Sequence, residues 1–248
     1  MITADRRLPI PRSWLAPVSS HEGSDIVPDV SNLWTSLWLS LQVAIPATLL
    51  ACAVGVPIAF VMARRPFPGR SIVEATLTVP LILPPTVVGY LLLLLLGSQG
   101  FFGTFLRAHF DFSIVFHISG AILASAIVAL PLVYLPARSA FASVDSDLED
   151  NARLIGANIL QLFWHVSLPL ARRGIAGGLL LAFGRALGEF GATVMVFGSG
   201  PRQTLPILIY EEYASSRFMA ALPAVGLLTA VSFVMVVIYN RSSLGTRA

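Results

Sequence analysis

Five apolar runs, near residues 43–63, 72–97, 118–137, 174–198 and 219–239, constrain this chain more than any other feature of its sequence. Each approaches or exceeds the roughly 20 residues that an α-helix needs to cross about 30 Å of hydrocarbon. A chain in lipid must satisfy its own backbone N–H and C=O groups, so only helices and closed barrels are open to it. A barrel would show polar and apolar residues alternating in segments of roughly ten residues. LLLLLL at 91–96 and GLLLAFGRALGEFGA at 178–192 show no such alternation. The sequence therefore predicts an all-α, polytopic transmembrane bundle of about five spans. Charged residues make up only 12% of the chain, against roughly 25% in soluble domains.

Several functions are excluded by what the sequence lacks. All basic residues are Arg, and without Lys there is no P-loop, whose G-x-x-x-x-G-K-[ST] pattern needs a lysine to reach the phosphates. If the protein draws on ATP, another subunit binds it. Cys52 has no partner for a disulfide or a thiolate metal site, and reads as a small packing residue in the first run. His21, His109, His117 and His165 show no H-E-x-x-H or comparable spacing, and Gly198-Ser199-Gly200 lacks the context of a nucleophile elbow, so neither a metal site nor a membrane enzyme is expected. No stretch interleaves aromatic and basic residues as a nucleic-acid surface would. Residues 1–32 read as a polar tail, without a convincing cleavage or export signal.

Arginines near span ends should favour the cytoplasmic side. Arg64, Arg65 and Arg70 fall in one loop, Arg138, Arg153, Arg172 and Arg173 flank the long third loop, and Arg241 and Arg247 lie at the C-terminal tail, 241–248. The opposite side receives Arg107, Arg202 and Arg217, with Arg6, Arg7 and Arg12 far from any span. Five spans then place the N-terminus outside and the C-terminus in the cytoplasm.

The third loop, about 145–169, is the one polar, helix-like segment between spans. Ser146-Asp147-Leu148-Glu149 fits an S-x-x-E capping box, and the carboxylates of Asp147, Glu149 and Asp150 favour the positive end of a helix dipole. Leu148, Ala152 and Ile155 follow on one face, and Gly156 offers a left-handed terminus. Asn158 can cap a second short helix over Ile159, Leu160, Phe163 and Val166, which Pro169 should end. That second helix is too apolar for water and too short to span. It should rest at the interface or in a partner's groove.

These residues resemble the EAA loop of ABC importer permeases, E-A-A-x3-G-x9-I-x-L-P, here Asp150-Asn151-Ala152, Gly156, Val166 and Leu168-Pro169, with every interval matched. Asp for Glu, Asn for Ala and Val for Ile are the departures. The resemblance covers about residues 33–240. It implies that Glu149, Asp150, Asn151, Ala152, Gly156, Ile159, Phe163, Val166, Leu168 and Pro169 couple this chain to an ATP-binding cassette ATPase dimer. That dimer would hold the ATP and Mg, and this chain would carry no cofactor. A second copy of the permease would complete the pathway in the plasma membrane lipid, and an external oxyanion-binding protein would deliver the cargo, with Tyr210, Glu211 and Glu212 part of its docking surface.

VPLILPPTVVGYLLLLLLGSQGFFG at 79–103 and GRALGEFGATVMVFGSGPRQTLPILIY at 184–210 look like the molybdate branch, close to tungstate and sulfate permeases. In the first, Pro80, Pro84 and Pro85 remove backbone donors and should break a helix beside a cavity. In the second, Arg185 and Glu189 stand four apart and should pair or face the bundle interior. Gly174 with Gly178, and Gly184 with Gly188, form small-xxx-small pairs that admit another helix. Pro84, Pro85, Arg185, Gly188 and Glu189 are the pathway or helix-interface candidates. Molybdate or tungstate import is the expected function; sulfate or thiosulfate import and an ion-coupled carrier are the rivals, the carrier disfavoured because no internal duplication is visible.

Overall fold

The computed structural model describes residues 30–97, 99–198, 200 and 202–244. Most of the expected 1–32 tail, and residues 245–248, lie outside the described residues. The described elements are helical: α1 (Val30–Arg64), α2 (Arg70–Ile82), α3 (Pro85–Leu96), α4 (Phe101–Phe110), α5 (Ile118–Ala142), α6 (Ser146–Leu154), α7 (Ile159–Leu162), α8 (Leu168–Leu187), α9 (Gly191–Phe197), α10 (Leu205–Ala214) and α11 (Phe218–Leu244). A π-turn, Phe163–Ser167, joins α7 to α8. Four uninterrupted helices are long and apolar enough to cross a membrane: Asn32–Arg64, Ile118–Ala142, Ile159–Leu187 and Phe218–Arg241. The α2–α3 pair passes the same test only as a unit bent by 118°.

Helix α5 is the centre of the bundle. In lipid there is no hydrophobic force between helices, so close approach through small side chains does the holding. On α1, Ala44, Ala47, Ala51 and Ala59 are buried at helical spacing against Ala126, Ala129, Val133 and Ala137 of α5. Gly55 continues that stripe, and a Cβ there would lie 3.2 Å from Leu130 Cδ1. On the α8 side, a Cβ on Gly174 would come within 2.6 Å of Ala140 Cβ, and one on Gly178 within 3.0 Å of the Leu132 carbonyl. Gly174 and Gly178 thus seat α8 on α5. Gly184 makes only ordinary contact with Met235, and Gly188 has left the helix, so the second small-residue pair does not form a close helix crossing within the chain.

Three boundaries differ from the sequence expectation. The run 174–198 is not one span: α8 stops at Leu187, Gly188 is its C-cap, and α9 starts anew at Gly191. The spanning helix instead begins upstream, because α7 continues through the π-turn into α8 and Pro169 does not end it. The Leu168 N–H donates to the Phe163 carbonyl, five residues back, so the wide turn takes up the distortion where Pro169 has no N–H to give. The run 72–97 breaks at Leu83 and Pro84, because Pro84 and Pro85 carry no amide protons and their rings force the preceding residues out of helical geometry.

Contacts fix which ends lie together. Arg64 at the end of α1 meets Glu149 of α6, Arg138 of α5 pairs with Glu74 of α2, and Tyr239 of α11 lies over Gly177 of α8. These mark the loop end of the bundle, so the starts of α1, α5 and α11 sit at the other end. The first and last described residues therefore fall at opposite ends, and α2 to α4 return the chain across.

Gly89 of α3 lies against α9, where a Cβ would stand 2.8 Å from the Ala192 Cα. Backbone cannot yield as a side-chain tip can, and overpacking of this kind costs roughly 1–3 kcal/mol. Gly89→Ala should lower the thermal midpoint of the purified protein in detergent by several degrees, while Gly226→Ala, with open space around it, should leave it unchanged.

Candidate functional site

Two regions carry chemistry beyond packing. The first is the loop, where Asp145 caps α6 by accepting the Asp147 N–H at 3.0 Å. The expected Ser146–Glu149 capping box does not form, because the Glu149 carboxylate is drawn inward. Its Oε1 accepts Arg64 Nε at 2.9 Å, Arg64 Nη2 at 2.5 Å and Ser167 Oγ at 2.6 Å. Glu149 is 2% exposed, so this carboxylate joins the end of α1, the first loop helix and the π-turn rather than facing a partner. Arg64 and Ser167 were not legible as its partners, since 85 and 18 residues separate them from Glu149.

Gly156 takes φ 91 and ends α6 in the left-handed conformation, with nothing within 4 Å of where its Cβ would be. Asn158 then caps α7: its side chain accepts the Gln161 N–H at 2.8 Å, and the Gln161 side chain accepts the Asn158 N–H at 2.9 Å. The reciprocal box expected at Ser146 is realised one helix later. Phe163 roots this second helix, its ring 5.1 Å from Phe60 and 6.1 Å from Phe141. Val166, Leu168 and Ala152 are partly buried beside it.

What remains outward is apolar. Leu154 and Ile155 at the tip are 83% and 88% exposed, and Ile159, Leu160 and Trp164 are exposed on the second helix. Asp150 pairs with Arg153 at 2.9 Å, while Asn151 and Pro169 face outward. Leu154 and Trp164 are surface residues that the sequence reading missed. Two adjacent aliphatic residues before a glycine in a charged helix were the available signal.

The second region is where two helix breaks meet. A Cβ on Gly191, at the start of α9, would lie 3.0 Å from both Pro85 Cβ and the Thr86 amide nitrogen. The α2–α3 bend and the α8–α9 interruption therefore back onto each other. Arg185 Nη1 stands 2.6 Å from Glu189 Oε2, too poorly aligned for a hydrogen bond but a close ion pair. Glu189 Oε1 accepts the Ala192 N–H at 2.8 Å, so the carboxylate also supports the restart of the chain as α9. Glu189 is buried and lies past the end of α8, not on its face; the Arg185 side chain is 31% exposed. Ser125 and Thr193 hydroxyls lie 3.3 Å apart behind it. Pro84 and Gly188 are exposed at the two breaks, and Pro85 is half-buried. Among the described residues no group of three His, Cys, Asp or Glu could hold a metal ion.

Comparison with known proteins shows the family and the fold. Residues 55–245 match the family described as binding-protein-dependent transport system inner membrane component. The chain is 40% identical over 175 residues to the molybdenum transport system permease protein ModB of Haemophilus influenzae, covering 70% of this chain and 76% of that one. It is 35% identical over 209 residues to the sulfate transport system permease protein CysW of Synechocystis sp., covering 84% and 75%. In fold it is similar to a chain of a bacterial ABC transporter involved in the import of alginate, with TM-score 0.65 at 18% identity, covering 88% of this chain and 80% of that one.

Removing one partner of a buried ion pair typically costs roughly 3–5 kcal/mol. Glu149→Ala should therefore loosen the loop: hydrogen exchange of the α6 and α7 amides should accelerate more than 30-fold, about 2 kcal/mol or more, while amides of α5 keep their protection. Equal acceleration in α5 would mean global unfolding instead.

Proposed function

The chain belongs to the binding-protein-dependent transport system inner membrane components, and from that membership we propose that it imports molybdate, with tungstate as a near-equivalent cargo, as one of two identical permease subunits. The protein is a multi-pass permease subunit of an ABC importer, with ATP hydrolysis in a partner subunit. The observation that carries the coupling assignment is the loop: an apolar tip faces outward while its base is held to α1 and the π-turn through Glu149.

On this reading Leu154, Ile155, Ile159, Leu160 and Trp164 sit in a groove of the ATPase, the usual fate of a short apolar helix at a protein surface. Asp150, Asn151, Ala152 and Gly156 shape that contact, and Phe163, Val166, Leu168 and Pro169 carry it into α8. When nucleotide closes the ATPase pair, the loops move together. Because the Glu149 carboxylate ties each loop to α1 and α8, the displacement passes to the spans instead of being absorbed by a flexible hinge. The bundle then exchanges between inward-open and outward-open arrangements, a two-state element biased by ATP.

The loop end is the cytoplasmic end. Arg64, Arg65, Arg70, Arg138, Arg153, Arg172, Arg173 and Arg241 gather there, against Arg107, Arg202 and Arg217 at or beyond the other end, and this excess supports a C-terminus inside and an N-terminus outside. The paired helix breaks at Pro84, Pro85 and Gly188 border the pathway. Arg185, held by buried Glu189 with its side chain partly exposed, attracts the divalent oxyanion in passing. An external binding protein delivers the cargo at the α10 side, where Tyr210, Glu211 and Glu212 lie.

Molybdate is favoured over sulfate by the 40% identity to the ModB of Haemophilus influenzae against 35% to the CysW of Synechocystis sp.. The test is uptake of labelled molybdate in cells lacking their own system and supplied with this chain, its ATPase and its binding protein. We expect uptake that needs all three components, resists excess sulfate and falls at least tenfold in Gly156→Leu, where a branched side chain would have to hold a left-handed conformation costing roughly 1–2 kcal/mol and would alter the loop tip. Suppression by sulfate would assign the sulfate branch. Uptake without any ATPase would overturn the coupling role of the loop in favour of an ion-coupled carrier.

A further inference from the structure

A further polar feature borders the loop region, with which it shares Pro169. At the loop end of the bundle, the ends of α5 and α11 and the start of α8 enclose a groove of about 590 Å³. Arg172 and Arg173 line it, with Ser139, Ser143 and Tyr239, and none of its lining residues is acidic. Elsewhere Arg64, Arg138, Arg153, Arg185 and Arg217 each sit on a carboxylate. Arg172 and Arg173 have no ion-pair partner among the described residues. Each guanidinium offers five N–H donors and no acceptor, so two of them in one acid-free groove suit an anion with several acceptor oxygens.

The groove is shaped by the same glycines that seat α8. Gly174 allows Ala140 of α5 to close in, and Gly177 receives the Tyr239 ring, whose Cε2 would stand 3.1 Å from a Cβ there. Gly174, Gly177 and Gly178 form the packed floor of the groove, and Arg172 and Arg173 stand exposed at its rim. Tyr239 and Arg241 of α11 and Arg172 of α8 occupy the ends of apolar segments, the depth at which tyrosine and arginine meet lipid headgroups.

We propose that this groove binds a tetrahedral oxyanion group through Arg172 and Arg173. A phosphodiester or phosphate presents several acceptor oxygens to planar guanidinium forks, a match that a single lysine-like charge would not give. The same chemistry is offered by an anionic phospholipid headgroup and by a free divalent oxyanion at the mouth of the bundle. The proposal does not depend on which oxyanion the importer carries.

The purified permease–ATPase complex would be tested in two arms. In one, native mass spectrometry would count phosphatidylglycerol retained after equilibration with a phosphatidylglycerol–phosphatidylethanolamine mixture. In the other, equilibrium dialysis in lipid-free detergent would measure binding of labelled inorganic phosphate and molybdate. Arg172→Gln and Arg173→Gln would be made singly and together, with Arg65→Gln, exposed at the same end without an ion-pair partner among the described residues, as the control. We expect the double variant to lose about tenfold or more in one arm, the effect of removing a charge-assisted hydrogen bond, while Arg65→Gln stays within about twofold. Loss in the lipid arm identifies a headgroup; loss in the dialysis arm identifies a free oxyanion. Should the double variant fail to assemble, the single exchanges carry the comparison. Equal binding by wild type and variants in both arms, or an equal loss in Arg65→Gln, would overturn the site.

Discussion

A backbone inside hydrocarbon has no water to bond, and the places where this chain interrupts its helices follow from that constraint. An unsatisfied amide in lipid is costly, so a break needs protein around it. The two breaks in the apolar part of the sequence, at Leu83–Pro84 and Gly188–Phe190, back onto each other through Gly191, Pro85 and Thr86. The Glu189 side chain accepts an amide of the restarting helix, the role an N-cap residue has in water. The same carboxylate pairs with Arg185, so neither charge is left alone beside the break.

The loop obeys the opposite rule. Its tip residues Leu154 and Ile155 stand exposed, and on the proposed reading a partner surface covers them. Its polar side is turned in: Glu149 is among the least exposed residues of the molecule, and takes three hydrogen bonds from two separate elements. Buried ion pairs contribute little net stability against apolar residues of the same size. Their use here is geometric, since the pair allows one register between α1, α6 and the π-turn. The π-turn serves the same end, because it lets a helix that starts at the loop run on into the membrane past Pro169. A displacement of the loop therefore arrives at α8 along one continuous element.

The arginines divide into two kinds by environment. Arg64, Arg138 and Arg185 join elements or stabilise breaks, and each has a carboxylate within reach. Arg172 and Arg173 have none among the described residues, and border a groove along which Gly174 and Gly177 let Ala140 and Tyr239 pack close. Small residues thus tighten the bundle around α5 and bring α8 close to α11 beside the groove.

Read by itself, the sequence determined the class and the outline of the loop, because those depend on local properties: hydropathy over a helix length, prolines without amide protons, a glycine able to take positive φ, and Asn158 as a cap. It also paired Arg185 with Glu189, four residues apart. Tertiary structure alone decided where the fourth span begins, why the Ser146–Glu149 box is not formed, which glycines meet another helix, and that Glu149 faces inward. Each of those depends on a partner distant in sequence: Arg64 and Ser167 for Glu149, Phe60 and Phe141 for the helix rooted at Phe163, Ala140 for Gly174. A capping motif or a small-residue pair states what a residue is able to do. Competition from groups that the fold brings within 3 Å decides which of those options is taken.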